Sequence, residues 1–179
     1  MPLKRVGAAA ALAFLLSGCG LVSLPESRPA DIYFVSTLAP GELTPGMVAY
    51  MAENQFGART MPGLPYRGMT IDGDAIYRGV SPRLRLQVFV SSRRPDCPLV
   101  PSGREGVRPA LLCDGPGGGV VLAEAVLQPN VSTAFHLQGE ELDRAARNKT
   151  LYLGVRVLEG QLTPDEWVEV KNIVVRGRV

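Results

Sequence analysis

Hydrophobic and polar residues alternate along much of this chain in short runs broken by glycine and proline. That spacing predicts β-strands with one face in a core. Ile32 to Thr37 is the first run. Leu84, Leu86, Val88 and Val90 then alternate with Arg85, Gln87 and Phe89 across Arg83 to Ser91. Val120 to Gln128 and Val131 to Gln138 flank Pro129-Asn130 and are expected to pair antiparallel. Leu151, Leu153, Val155 and Val157 alternate with Tyr152, Gly154 and Arg156, and Trp167 to Arg176 closes the pattern. From Thr70 to Tyr77 a hairpin is expected, because Asp72-Gly73 readily supplies the positive φ angles of a two-residue turn. Short strands with turn signals between them predict a mainly β fold. The expected architecture is an antiparallel two-sheet β-sandwich, immunoglobulin/fibronectin-like or jelly-roll-like, with one or two short helical segments.

Two stretches depart from the alternation. Glu140 to Asn148 places Glu140 with Arg144 and Asp143 with Arg147 at i,i+4 spacing, which predicts helical turns linking strands across the sandwich. Leu38 to Arg67 admits two readings. In one, Thr44 caps a helix with Pro45 at its first position, Leu43 and Val48 form a hydrophobic staple, and Gly57 ends it. In the other, Gly46, Pro62 and Pro65 hold the stretch as a long loop.

The N-terminus follows a different logic. Lys4 and Arg5 precede an uncharged, Ala- and Leu-rich run from Val6 to Leu16, too short to cross roughly 30 Å of hydrocarbon. This is an export signal. Ser17-Gly18 would also satisfy the cleavage rule of a plain secretory signal. Leu16-Ser17-Gly18-Cys19, however, resembles the lipobox of bacterial lipoprotein precursors. The resemblance covers residues 1–19 only, and no family is recognised for residues 31–179. It implies removal of residues 1–18, a lipid on the Cys19 thiol and acylation of the new N-terminus, and hence a membrane anchor in the bacterial cell envelope. Gly20 stands where some lipoproteins of two-membrane bacteria carry an aspartate that favours inner-membrane retention, which points to the outer membrane or cell surface. Residues 19–30 are expected to form the lipidated cysteine and a short tether, in which Leu21 to Ala30, with Pro25 and Pro29, reaches about 30 Å at most. Residues 31–179 are expected to form one domain.

Charge adds a restriction. The chain has 19 basic and 17 acidic residues, and loss of Lys4 and Arg5 with the signal leaves the mature part near neutrality. A broad footprint for nucleic acid is not expected. Cys97 and Cys113 suit a disulfide in an exported protein, worth about 3 kcal/mol for a loop of that size. The excursion from Ser91 to Gly119 carries Arg93, Arg94, Arg104 and Arg108, then Gly117-Gly118-Gly119. It reads either as a solvated loop or as an arginine-bearing finger gripping a carboxylate or phosphate on a partner. The glycines fit no phosphate-loop spacing and read as a flexible connector.

Other chemistry finds little support. His136 is the only histidine and sits in an expected strand, which argues against histidine-based metal or nucleophile sites. Asp72 and Asp74 lack the further oxygen ligands of a calcium loop, and Met47, Met51, Met61 and Met69 lack a tight copper-binding cluster. Glu140 and Glu141 read as a solvated face. No catalytic residue, cofactor or metal is expected. The favoured function is an envelope-anchored, noncatalytic sandwich serving as accessory or scaffold subunit of a surface or periplasmic assembly, with another envelope protein as partner. The alternative is a ligand- or glycan-binding module, for which Trp167, Tyr50, Tyr66 and Tyr77 could offer stacking surfaces. A carboxylate-pair hydrolase is a third class.

Overall fold

A computed structural model describes residues 22–35, 46–56, 65–101, 108–163 and 165–179. The elements in chain order are β1 (Ile32–Val35), β2 (Met47–Met51), β3 (Arg67–Arg78), β4 (Leu84–Ser91), β5 (Leu99–Val100), β6 (Ala110–Asp114), β7 (Val120–Leu127), β8 (Ser132–Gln138), α1 (Glu140–Asn148), β9 (Tyr152–Glu159) and β10 (Trp167–Arg178). They form two antiparallel sheets, ordered β1-β10-β3-β8 and β5-β6-β2-β9-β4-β7. The expected two-sheet sandwich is what the chain builds. Alternation sets the inner faces, with Leu84, Leu86, Val88 and Val90 of β4 meeting Ile71 and Ala75 of β3 and Val168 and Val170 of β10 across the interior.

Several local expectations are corrected. Residues 70–77 form no hairpin, because β3 runs unbroken through Asp72-Gly73-Asp74 and pairs with β10 on one side and β8 on the other. Gly73 sits opposite Phe135, where a Cβ would lie 2.8 Å from the ring, so the glycine makes room for an aromatic instead of a turn. β7 and β8 follow one another in sequence but join different sheets, β7 beside β4 and β8 beside β3. The segment given a capped helix or a long loop contains β2, hydrogen-bonded to β6 and β9; residues 36–45 and 57–64 fall outside the described residues. α1 forms over the expected residues, but not through the expected pairs. Glu141 is buried and accepts from Ser92 N–H and Arg144, Asp143 accepts from the N–H groups of Gly68 and Met69, and Arg147 donates to the Tyr66 carbonyl. The helix is therefore stapled to both sheets; Glu140 is exposed, as expected of a solvated face, and Glu141 is not.

Residues 22–27 do not dangle as a tether. They run antiparallel to the end of β10, with Val22 and Val179 exchanging backbone hydrogen bonds, Leu24 N–H donating to Gly177, and Ser27 and Val175 exchanging a second pair.

The outer face of the six-stranded sheet carries its own small core of Val48, Tyr50, Phe89, Leu111, Cys113 and Tyr152. Topology explains it, since the chain leaves β6 and must cross β2, β9 and β4 before it can start β7. Residues 115–119 make that crossing. Gly117 lies against the Cys113 sulfur and Gly119 against the Tyr50 hydroxyl, which donates to the Pro116 carbonyl at 2.5 Å. The glycines form a tightly seated strap and not a flexible connector, because a Cβ at Gly117 or Gly119 would collide with what lies beneath and Gly118 has a positive φ of 87°. The Cys97–Cys113 disulfide, with Cα atoms 5.1 Å apart, pins the same layer.

Candidate functional site: an apolar cavity between the sheets

The interior splits into two well-packed ends. One gathers Tyr66, Met69, Leu137, Leu142 and Leu151 under α1, and the other gathers Tyr77, Leu84, Leu86, Leu127 and Val168. Between them, inward-pointing Ile32, Val88, Phe135, Leu153, Val155 and Val170 are only partly buried. The cause is missing side-chain volume. β3 presents Gly73 and Ala75 to the interior, and β7 presents Ala123 and Ala125 from the other sheet, where neighbouring strands carry leucine and valine. The ring of Phe135 is laid over Gly73 and does not fill the space. What remains is a cavity of about 400 Å³.

Among its lining side chains only Gln55, Glu124, Thr133 and His136 carry polar atoms. Glu124 and Val126 point outward from β7, and Ala134 and His136 point outward from β8, yet all four line the cavity. The mouth therefore opens along the seam between these two strands. Among the described residues, β7 pairs only with β4 and β8 only with β3, so their facing edges carry backbone groups without ladder partners. At the rim, Arg85 holds Glu124 at 2.5 Å, and His136 Nδ1 lies 2.6 Å from an Asp72 carboxylate that also receives Arg176 at 2.8 Å. The hydrogen bond to Asp72, helped by Gln138, raises the His136 pKa above its ordinary value.

Left dry and empty, a cavity of about 400 Å³ would cost about 10 kcal/mol at roughly 24 cal/mol per Å³. That equals the whole net stability of an ordinary domain, and apolar walls offer water few partners. An apolar guest would recover that cost. The lining contains one carboxylate, Glu124, so the two facing acids of a glycosidase are not assembled there.

The structure places the sequence-derived candidates as follows. Cys19 and Arg104 lie outside the described residues, as does Met61. Arg93 and Arg94 are exposed, Arg93 beside Gly118, whereas Arg108 pairs with Glu53. Arg93 and Arg108 thus have different neighbours. Tyr50, Tyr66 and Tyr77 are fully buried, and burial pushes the Tyr50 hydroxyl pKa up to about 12. Of the four proposed stacking residues only Trp167 reaches the surface. Met69 is buried against Gly177 in one sheet while Met47 and Met51 lie on β2 of the other. Asp72 and Asp74 bond to His136, Arg176 and Asn172, and no group of three or more metal-ligating side chains occurs among the described residues. The cavity itself escaped sequence reasoning, although small residues recurring at inward positions of two strands, Gly-Asp-Ala and Ala-Glu-Ala, were its signal. Neither a protein-family model nor a curated protein sequence matches the chain.

Proposed function

We propose that this protein is an envelope lipoprotein, exported and anchored through Cys19, whose sandwich is a noncatalytic binding module for an apolar ligand at the membrane surface. The observation that carries the binding role is the cavity between the sheets, lined for the most part by hydrocarbon side chains and open along the β7–β8 seam. Anchoring rests on the lipobox resemblance of residues 16–19. The pairing of residues 22–27 with β10 supports close apposition, because the few residues from Cys19 to Val22 span at most about 10 Å.

The accessory-subunit reading has a separate support. Tyr33 and Trp167 are exposed near each other at the β1 edge, on the outer face of the four-stranded sheet, where a protein partner could cover them. Binding and assembly are compatible roles for one domain.

Two measurements test the proposal. Mass spectrometry of the mature N-terminus should show a lipid-modified Cys19, and an unmodified end would remove the anchor. Thermal-shift screening with apolar compounds of varied shape should raise the midpoint with at least one of them. A flat response to all would remove the binding role.

A further inference from the structure

Resting on the binding-module reading, the geometry of the cavity also indicates the chemical class of its occupant. We propose that the cavity holds one linear aliphatic chain, threaded between the sheets through the β7–β8 seam with its polar end left at the rim.

Three observations converge on this class. At about 30 Å³ per methylene-sized group, the liquid volume share of one water molecule, a cavity of about 400 Å³ takes roughly a dozen methylenes. The polar side chains of the lining are the four already named, the unpaired backbone groups lie along the β7–β8 seam, and the other lining side chains are hydrocarbon, so a sterol hydroxyl or heteroaromatic ring held away from the seam would find few directional partners. A saturated chain needs none. The lips of the seam are built from small residues, Ala123 and Ala125 on β7 and Ala134 on β8, which leaves a slot between strands. Thr133 and His136 stand at that slot, with Glu124 already engaged by Arg85. They offer polar contacts to a carboxylate or ester end.

The test uses the full chain carrying Cys19→Ser, so that no anchor lipid of its own can compete. Calorimetric titration with octanoate, decanoate, dodecanoate, tetradecanoate, hexadecanoate and octadecanoate should show one chain bound per protein. Affinity should rise about four-fold per methylene and level off once the cavity is full. Ala125→Phe, and independently the milder Ala123→Leu, should weaken binding by about 16-fold or more, the equivalent of two methylenes, with an unchanged circular dichroism spectrum. Vesicles of phosphatidylethanolamine and phosphatidylglycerol carrying an acyl-labelled phospholipid separate the sources. Uptake of whole lipid identifies the membrane as donor, and uptake of free acid alone identifies the soluble pool; either supports the proposal. Affinity independent of chain length, or binding untouched by both substitutions, overturns it. If no chain binds but another apolar compound does, and Ala125→Phe blocks that compound, the aliphatic assignment falls and the binding module stands. If nothing binds, both fall.

Discussion

The same substitution should have opposite effects at two alanines of this domain. Ala125 faces the cavity from β7 and is partly exposed to it, whereas Ala145 of α1 is fully buried in the packed cluster under the helix. Ala125→Leu adds three carbons to space that is already open. At about 0.8 kcal/mol per buried carbon the gain approaches 2.4 kcal/mol, less about 0.5 to 1 kcal/mol for the ordered leucine side chain. Refolded, cargo-free protein should therefore gain about 1.5 kcal/mol, read as a higher urea midpoint at unchanged slope and a melting temperature raised by about 3 to 6 °C. Ala145→Leu has nowhere to put the same atoms and should lose about 1 to 3 kcal/mol through overpacking. Equal losses at both sites would show that the interior is packed throughout, and the reasoning from missing volume would fail.

Other consequences concern the strap and the charged rim. Gly119→Ala drives a methyl into the Tyr50 hydroxyl beneath the crossing segment and should cost about 1 to 3 kcal/mol in denaturant unfolding. Burial raises the Glu166 pKa, but the N–H groups of Val80 at 2.7 Å and Thr163 at 2.9 Å, with the Tyr77 hydroxyl, outweigh it and hold the carboxyl below its ordinary value. That contribution to stability is present above about pH 4.3, the ordinary glutamate value, and is lost as pH falls through the lower folded value. Glu166→Gln should flatten the acid limb of the stability profile. His136 runs the other way. Its contribution is present below about pH 6.5 and fades as pH rises through the raised folded value. A nuclear magnetic resonance titration should place its midpoint above the ordinary one, and Asp72→Asn should bring it back.

Strict alternation made β4, β9 and β10 readable, because a period of two with one buried face has few other solutions. Elements decided by distant partners were not readable. Asp72-Gly73 has the local chemistry of a turn, but Phe135 and the two flanking strands hold it extended. Val48 and Tyr50 alternate like a core strand while facing the outer layer, which exists only because the chain crosses above them. The crossing also explains Gly117 and Gly119, whose need for close approach is invisible without the surface beneath. The cavity is harder still to see. It follows from small side chains on β3 and β7 meeting across two sheets, and the register of one sheet over the other is not written in either strand alone.

Native mass spectrometry of the full-length protein, gently extracted from cells that make it, tests the central claim most directly when run beside the Ala123→Leu, Ala125→Leu double variant. The natural chain should carry one noncovalent apolar molecule, in addition to any covalent lipid at Cys19, and the filled variant none. A bare natural chain, or the same adduct retained on the variant, would contradict it.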